Sequence, residues 1–182
     1  MNPLIFLLLT SILLSISGCA TLSREDCMQG SWFELGLHDG RMGKPFNRLA
    51  QHQKSCLEFN IHIDSKQYNA GRKQGLQTFC QLDNAIHIGL KGQLYQSVCP
   101  PEIHSAFQRY NDAAYGVYQS QENLKRIDDE LFNMENRLLN NSISDKEHSK
   151  IMVTVRRLDR ERQRLLDELY SREHSLDHLL HD

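Results

Sequence analysis

The side chains able to do acid–base or metal chemistry lie in two places. In the first half, His38 and Asp39 precede Gly40, and His62 and Asp64 flank Ile63. An imidazole and a carboxylate within hydrogen-bond reach in a concave pocket would form a general acid–base pair of the kind a cell-wall enzyme needs. At the other end, His174, His178 and His181 follow at i, i+4 and i+7 beside Asp177 and Asp182. That helical spacing suits zinc or nickel. Neither group has a supporting motif. The chain has no GxSxG, no HExxH and no GxxxxGK[ST], and Gly71-Arg72-Lys73-Gln74-Gly75 lacks the spacing and the Lys-Ser/Thr of a phosphate loop. The expectation is therefore no catalytic residue, no metal ligand set and no cofactor. The histidines and carboxylates cap turns or face water, with a cell-wall enzyme or a metal-binding protein as the alternatives.

The five cysteines carry a different chemistry. Pro3 to Ile16 is an uncharged apolar run, too short for a transmembrane helix of about 20 residues and suited to the apolar region of a secretory signal. Ile16-Ser17-Gly18-Cys19 follows at once. A branched residue, two small residues and a cysteine form a lipobox, so residues 1 to 19 resemble a bacterial lipoprotein signal peptide, although the run is preceded by no Lys or Arg. The resemblance implies cleavage after residue 18, a diacylglycerol on the Cys19 thiol and acylation, as with palmitate, of the freed amine. Ala20 in the next position implies sorting to the outer membrane, where a periplasm-facing orientation is preferred to a surface-exposed one. Several acyl chains, at about 0.8 kcal/mol per buried CH₂, hold where one would not. The remaining four, Cys27, Cys56, Cys80 and Cys99, form an even set in an exported chain and imply two disulfides. Three pairings are open. Cys27–Cys56 with Cys80–Cys99 is preferred, because each pair brackets one Gly-containing segment.

These residues must be positioned by two regions of different composition. Eight of the ten glycines lie between Gly30 and Gly92, and Pro100 and Pro101 are the last prolines. The division predicts a signal peptide (1–18), a Gly/Cys-rich head (19–102) and a helical hairpin (103–182). In the head, Trp32-x₃-Gly36-x₃-Gly40-x₂-Gly43, Tyr68-x₂-Gly71-x₃-Gly75 and Ala85-x₃-Gly89-x₂-Gly92-x₂-Tyr95 each lead to a cysteine. Spacings of three and four put glycines on one helical face, at about 1 kcal/mol of helix propensity each, so a packing reason is expected. A smooth face lets another backbone or a ring approach closely, and the expectation is that these faces receive aromatics such as Trp32, Tyr68 and Tyr95. The rival reading puts the glycines in turns and makes Phe59 to Ile63 a strand. With Asp39, Arg72, Leu76, Phe79, Val98 and Pro100, this pattern resembles an uncharacterised family of Gram-negative lipoproteins, known as a domain of unknown function, over about residues 24 to 125. The resemblance implies a localisation and no activity.

The tail alternates differently. Val117, Ser120, Leu124, Ile127, Leu131, Met134 and Leu138 step by three and four, the seam of a coiled coil. Asn140-Asn141-Ser142 breaks the pattern, Ser144-Asp145-Lys146-Glu147 offers a capping box, and Val155, Leu158, Leu165, Leu169, Leu176 and Leu179 resume it, with Arg162 and Arg172 in seam positions. The fold class expected is mainly α, a small disulfide-stapled helical head followed by a long antiparallel two-helix hairpin. Pairing of one seam between two copies, as a homodimer, is the alternative. With 21 Lys+Arg against 23 Asp+Glu, no basic excess supports nucleic-acid binding. The sequence thus points to a membrane-anchored, non-enzymatic envelope module whose partner is an envelope protein or peptidoglycan.

Overall fold

The computed structural model describes residues 21–139 and 143–181. The signal segment and Cys19 lie outside the described residues. Among those described there are seven helices and no strand, and none of the helices is long and apolar enough to cross a membrane. The contacts divide into two compact units between Phe79 and Cys80. This is not the compositional break at residue 102. The Gly-rich composition continues through residues 80–102, but their packing partner is the first long helix of the tail.

The first unit contains α1 (Arg24–Gln29), α2 (Trp32–Arg41), α3 (Arg48–Leu57) and α4 (Ser65–Phe79). Ser23 and Asp26 close a capping box on α1, and Gly30 ends it in the left-handed region at φ 65°. The glycine stripes have a common cause. A Cβ on Gly36 would fall on the Tyr68 carbonyl, one on Gly40 on the Arg72 carbonyl, one on Gly71 on the Phe33 carbonyl and one on Gly75 on the Leu37 carbonyl. Each helix thus lays its small face on the other's backbone, which recovers in dispersion and close packing what glycine loses in helix propensity. Backbone, not an aromatic ring, occupies these faces. Rings do lie against glycines in turns, Phe79 on Gly43 and Tyr118 on Gly92. Trp32 and Tyr68 are buried elsewhere, in a cluster with Cys27, Cys56 and Ile63, on which Leu22, Leu35, Leu49 and Ile61 pack. The Cys27–Cys56 disulfide runs through this cluster; a bridge of this span contributes about 3 kcal/mol by restricting the unfolded chain. Residues 59–63 form no strand. The N–H groups of Phe59 and Ile61 both donate to the Cys56 carbonyl, and Asn60 takes φ 59°, so the segment is a turn off the end of α3.

The second unit contains α5 (Leu82–Leu90), α6 (Pro101–Leu138) and α7 (Asp145–His181). Pro101 opens α6, where a missing N–H costs nothing. Gly89 lets α5 approach the α6 backbone at Asn111 and Tyr115. Asn111 is fully buried; its amide donates to the carbonyls of Ala85 and Gln93 and its oxygen accepts from the Tyr95 N–H. The Cys80–Cys99 disulfide closes the same segment. Both bridges thus follow the preferred pairing.

α6 and α7 are 38 and 37 residues long, about 55 Å at 1.5 Å per residue, and their contacts run in opposite order. Arg137 meets Glu147 at 2.7 Å beside the turn, Arg162 meets Asp128 at 2.6 Å midway, and the Tyr110 hydroxyl donates to the Leu179 carbonyl at 2.6 Å at the far end. The seam is the one the periodicity predicts. Ile127, Leu131, Leu158 and Leu165 form one buried cluster with Leu124, Met134 and Val155 around it, and Ala114, Val117 and Leu176 form another that Leu169 joins. Half of the capping box forms: Ser144 Oγ accepts from the Glu147 N–H, while the Glu147 carboxylate accepts from Arg137. The other seam arginine, Arg172, lies over Gly116.

Candidate functional site

The buried polar cluster of the first unit is assembled by α2, α3 and α4. Asp39 from α2, His52 from α3 and Tyr68 from α4 are each 1–2 % exposed. Asp39 Oδ2 accepts from His52 Nε2 at 2.8 Å and from the Tyr68 hydroxyl at 2.7 Å. On its other side, His52 Nδ1 lies 2.8 Å from Thr21 Oγ1. The Thr21 N–H donates to Ser55 Oγ at 3.0 Å, and Ser55 donates to the Gln51 carbonyl. Local spacing explains the convergence. His52 and Ser55 are three apart on α3, on the face that Cys56 buries through its disulfide. Asp39 and Tyr68 are each within four residues of the glycines that draw α2 and α4 together, so the Tyr68 hydroxyl reaches the carboxylate.

Electrostatics make this a fixed arrangement. Burial alone would raise the Asp39 carboxyl, but the hydrogen bonds from His52 and Tyr68, with Arg48 nearby, outweigh it and hold the group below the usual carboxylate value. Burial raises the Tyr68 hydroxyl well above the ordinary tyrosine range, and the Asp39 hydrogen bond and charge add to the shift, against the opposing influence of Arg72. Asp39 is thus an ionised acceptor and Tyr68 a neutral donor. An ionised carboxylate only accepts, so Nε2 of His52 carries a hydrogen. When the ring is neutral, Nδ1 takes the Thr21 hydroxyl hydrogen. A hydroxyl, an imidazole and a carboxylate in sequence share the order of a nucleophile–base–orienter chain. Here the imidazole and carboxylate are sealed, and Tyr68 occupies the carboxylate oxygen that orients the ring. What the arrangement does is fix the chain at Thr21 to three helices.

The residues singled out by type are distributed as follows. Asp39 belongs to the cluster. His38, beside it, is 69 % exposed in its side chain. Asp64 caps α4, its Oδ1 accepting from the N–H groups of Lys66 and Gln67 at 2.9 and 3.1 Å, and His62 is exposed. Of these four, only His38 and Asp39 approach each other, with Nδ1 of His38 3.7 Å from Asp39 Oδ1. His174 and His178 touch through their Nε2 atoms at 3.1 Å, and His181 pairs with Asp177 at 3.3 Å. Asp182 lies outside the described residues, among which no group of three or more ligating side chains is placed to hold a metal. The sequence pattern does not single out Thr21, His52 or Ser55, and it marks Tyr68 only as an aromatic of the glycine motif. The available signal was the His52-x₂-Ser55-Cys56 spacing, which puts both polar side chains on the face of a buried cysteine.

Residues 31–116 match the model of a family described as a protein of unknown function (DUF2799). The match begins at the N-terminus of α2 and ends at Gly116 of α6, so it includes the α2/α4 glycines, the Asp39–His52–Tyr68 cluster, Asn111 and three of the four disulfide cysteines. No curated protein and no solved structure matches the chain.

Proposed function

We propose that the chain is a lipid-anchored outer-membrane lipoprotein facing the periplasm, a non-enzymatic module that binds an envelope protein through the turn end of its α6–α7 hairpin. The observation that carries the binding role is the apolar surface exposed near the turn, although Tyr170 and Leu180 are exposed toward the other end of α7. Phe132, Leu139 and Val153 are 65, 78 and 65 % exposed. At 1.5 Å per residue, Phe132 lies about 9 Å from the end of α6 and Val153 about 12 Å from the start of α7. Near the same end, Met134, Arg137, Lys146, Glu147, Lys150 and Ile151 line a cleft of about 590 Å³, and Val153 borders a second hollow with Lys146 and Lys150. Apolar side chains next to a cationic rim suit an acidic protein segment with apolar anchors. The anchoring reading is supported by the Ile16-Ser17-Gly18-Cys19 box.

Two measurements test this. Cys19→Ser should abolish metabolic palmitate labelling; labelling that persists removes the anchoring reading. A photo-crosslinking residue at Val153 should capture an envelope protein in living cells, while one at Arg160, exposed in mid-helix, should not. Equal capture at both positions, or capture at neither, removes the turn-end binding site. Co-sedimentation with purified peptidoglycan that survives Val153→Asp would transfer the role to the cell wall.

A further inference from the structure

We infer that the first unit sits directly on the bilayer, with Met28, Leu57 and Phe59 entering the interfacial layer of the leaflet that holds the lipid. The inference rests on the anchoring reading above and adds an orientation and a contact surface to it. Its first support is how early the chain is committed to the fold. Thr21 is held through its N–H by Ser55 and through its hydroxyl by His52, and Leu22 packs on the cluster around the Cys27–Cys56 bridge. Only Ala20 separates Thr21 from Cys19. Two residues span at most about 7 Å, so no linker lifts the unit away from the acyl chains.

The second support is what surrounds that point. Met28 follows Cys27, Leu57 follows Cys56, and the Phe59 N–H donates to the Cys56 carbonyl. The bridge holds the two cysteine Cα atoms 5.5 Å apart, so the backbone positions of these three residues lie in one small region, beside two members of the cluster on which Leu22 packs. Met28, Leu57 and Phe59 are 67, 50 and 38 % exposed. Exposed to water they gain nothing, whereas at the headgroup–acyl boundary their apolar area leaves water. Nearby charges show no basic excess, with Arg24 and Lys54 against Glu25, Asp26 and Glu58. Apolar contact, not attraction to anionic lipid, therefore holds the surface, and the contact should be insensitive to salt, unlike a polybasic one.

The test uses the lipidated mature protein reconstituted into phosphatidylethanolamine/phosphatidylglycerol vesicles whose acyl chains carry bromine. Phe59→Trp and Met28→Trp change exposed positions and leave the core intact, and the buried native Trp32 supplies the background. Each added tryptophan should emit at shorter wavelength than in detergent-free, vesicle-free Cys19→Ser protein. Each should also lose intensity to the bromines, equally at low and high salt. Flotation of the protein with the vesicles reports anchoring separately. Protein that floats while both added tryptophans stay unquenched overturns the seating and leaves the anchor standing. Quenching that disappears at high salt assigns the contact to charge and overturns the apolar surface. Protein that neither labels with palmitate nor floats removes both readings.

Discussion

Gly71→Ala and Gly116→Ala add the same methyl group to a helix and should change stability in opposite directions. At Gly71 the new Cβ would overlap the Phe33 carbonyl and lie 2.9 Å from the Leu37 nitrogen. Both are backbone atoms of α2 and cannot rotate aside, so the helices must part, and the contacts at Gly36, Gly40 and Gly75 loosen together. Overpacking of this kind costs about 1 to 3 kcal/mol and sometimes more. Four interlocked contacts place this case at about 4 kcal/mol, against which alanine regains about 1 kcal/mol of helix propensity. The net loss is about 3 kcal/mol. At about 4 to 8 °C per kcal/mol for a domain of 60 to 100 residues, the midpoint of the first unit should fall by more than about 10 °C. At Gly116 the nearest atom is Nη1 of Arg172 at 2.6 Å, the tip of a flexible side chain that is 44 % exposed. It can swing out, so the propensity gain should survive and stability should stay level or rise by up to about 1 kcal/mol. Thermal and urea unfolding of the protein, followed by circular dichroism, read both. A Gly71→Ala loss below about 1 kcal/mol, or a Gly116→Ala loss as large as that of Gly71→Ala, would refute the backbone-to-backbone account of the glycine stripe.

Stability of the first unit should depend on pH at both extremes. Asp39 is lowered on folding, so its contribution is complete above the unfolded value of about 3.9 and is lost as pH falls through the folded one; Asp39→Asn should flatten the acid limb of a midpoint-against-pH curve. Tyr68 is raised on folding, so its contribution is complete below about pH 10 and is lost as pH rises beyond it; Tyr68→Phe should flatten the alkaline limb, and parallel curves for either variant and the parent would contradict the cluster. Asn111→Ala strands two carbonyls and one N–H in the interior and should cost at least about 2 kcal/mol by urea unfolding. Leu131→Asp puts an uncompensated charge into the hairpin seam, where Leu131 is 7 % exposed, and should cost several kcal/mol; an unchanged melting curve would remove Leu131 from the seam.

The hairpin was legible because its information is local. A 3/4 rhythm specifies which face of each helix is buried, and the Asn-Asn-Ser break with a short connection leaves antiparallel pairing as the simplest way to bury both. The glycine stripe was legible as a helical face, but not as one that meets another backbone. GxxxG spacing makes a smooth surface without naming its occupant, and Trp32, Tyr68 and Tyr95 were as available as the α4 carbonyls. The division of packing between Phe79 and Cys80 was not legible for a related reason. Composition changes at Pro100, whereas the α5 contact depends on Gly89 meeting α6 and on Asn111 reaching back 26 residues to Ala85, and no periodicity records that. Of the polar cluster only Asp39 stood out. Its partners, His52 at 13 residues and Tyr68 at 29, are linked to it by tertiary packing alone.

The glycine crossing and the polar cluster depend on each other. Tyr68 presents its carbonyl to Gly36 while its hydroxyl donates to Asp39, so the distance between α2 and α4 set by the glycines also sets whether that hydroxyl reaches the carboxylate. Asp39 in turn holds His52, and His52 with Ser55 holds Thr21. A buried ionised carboxylate is costly unless its hydrogen bonds are complete, so the cluster tolerates neither a wider crossing nor a displaced α3. An apolar core could stabilise the same helices, but apolar contacts are non-directional and would leave the chain at Thr21 free to shift. Directional hydrogen bonds to a fixed charge remove that freedom two residues from Cys19. The cluster therefore fixes the chain at Thr21 relative to α2, α3 and α4.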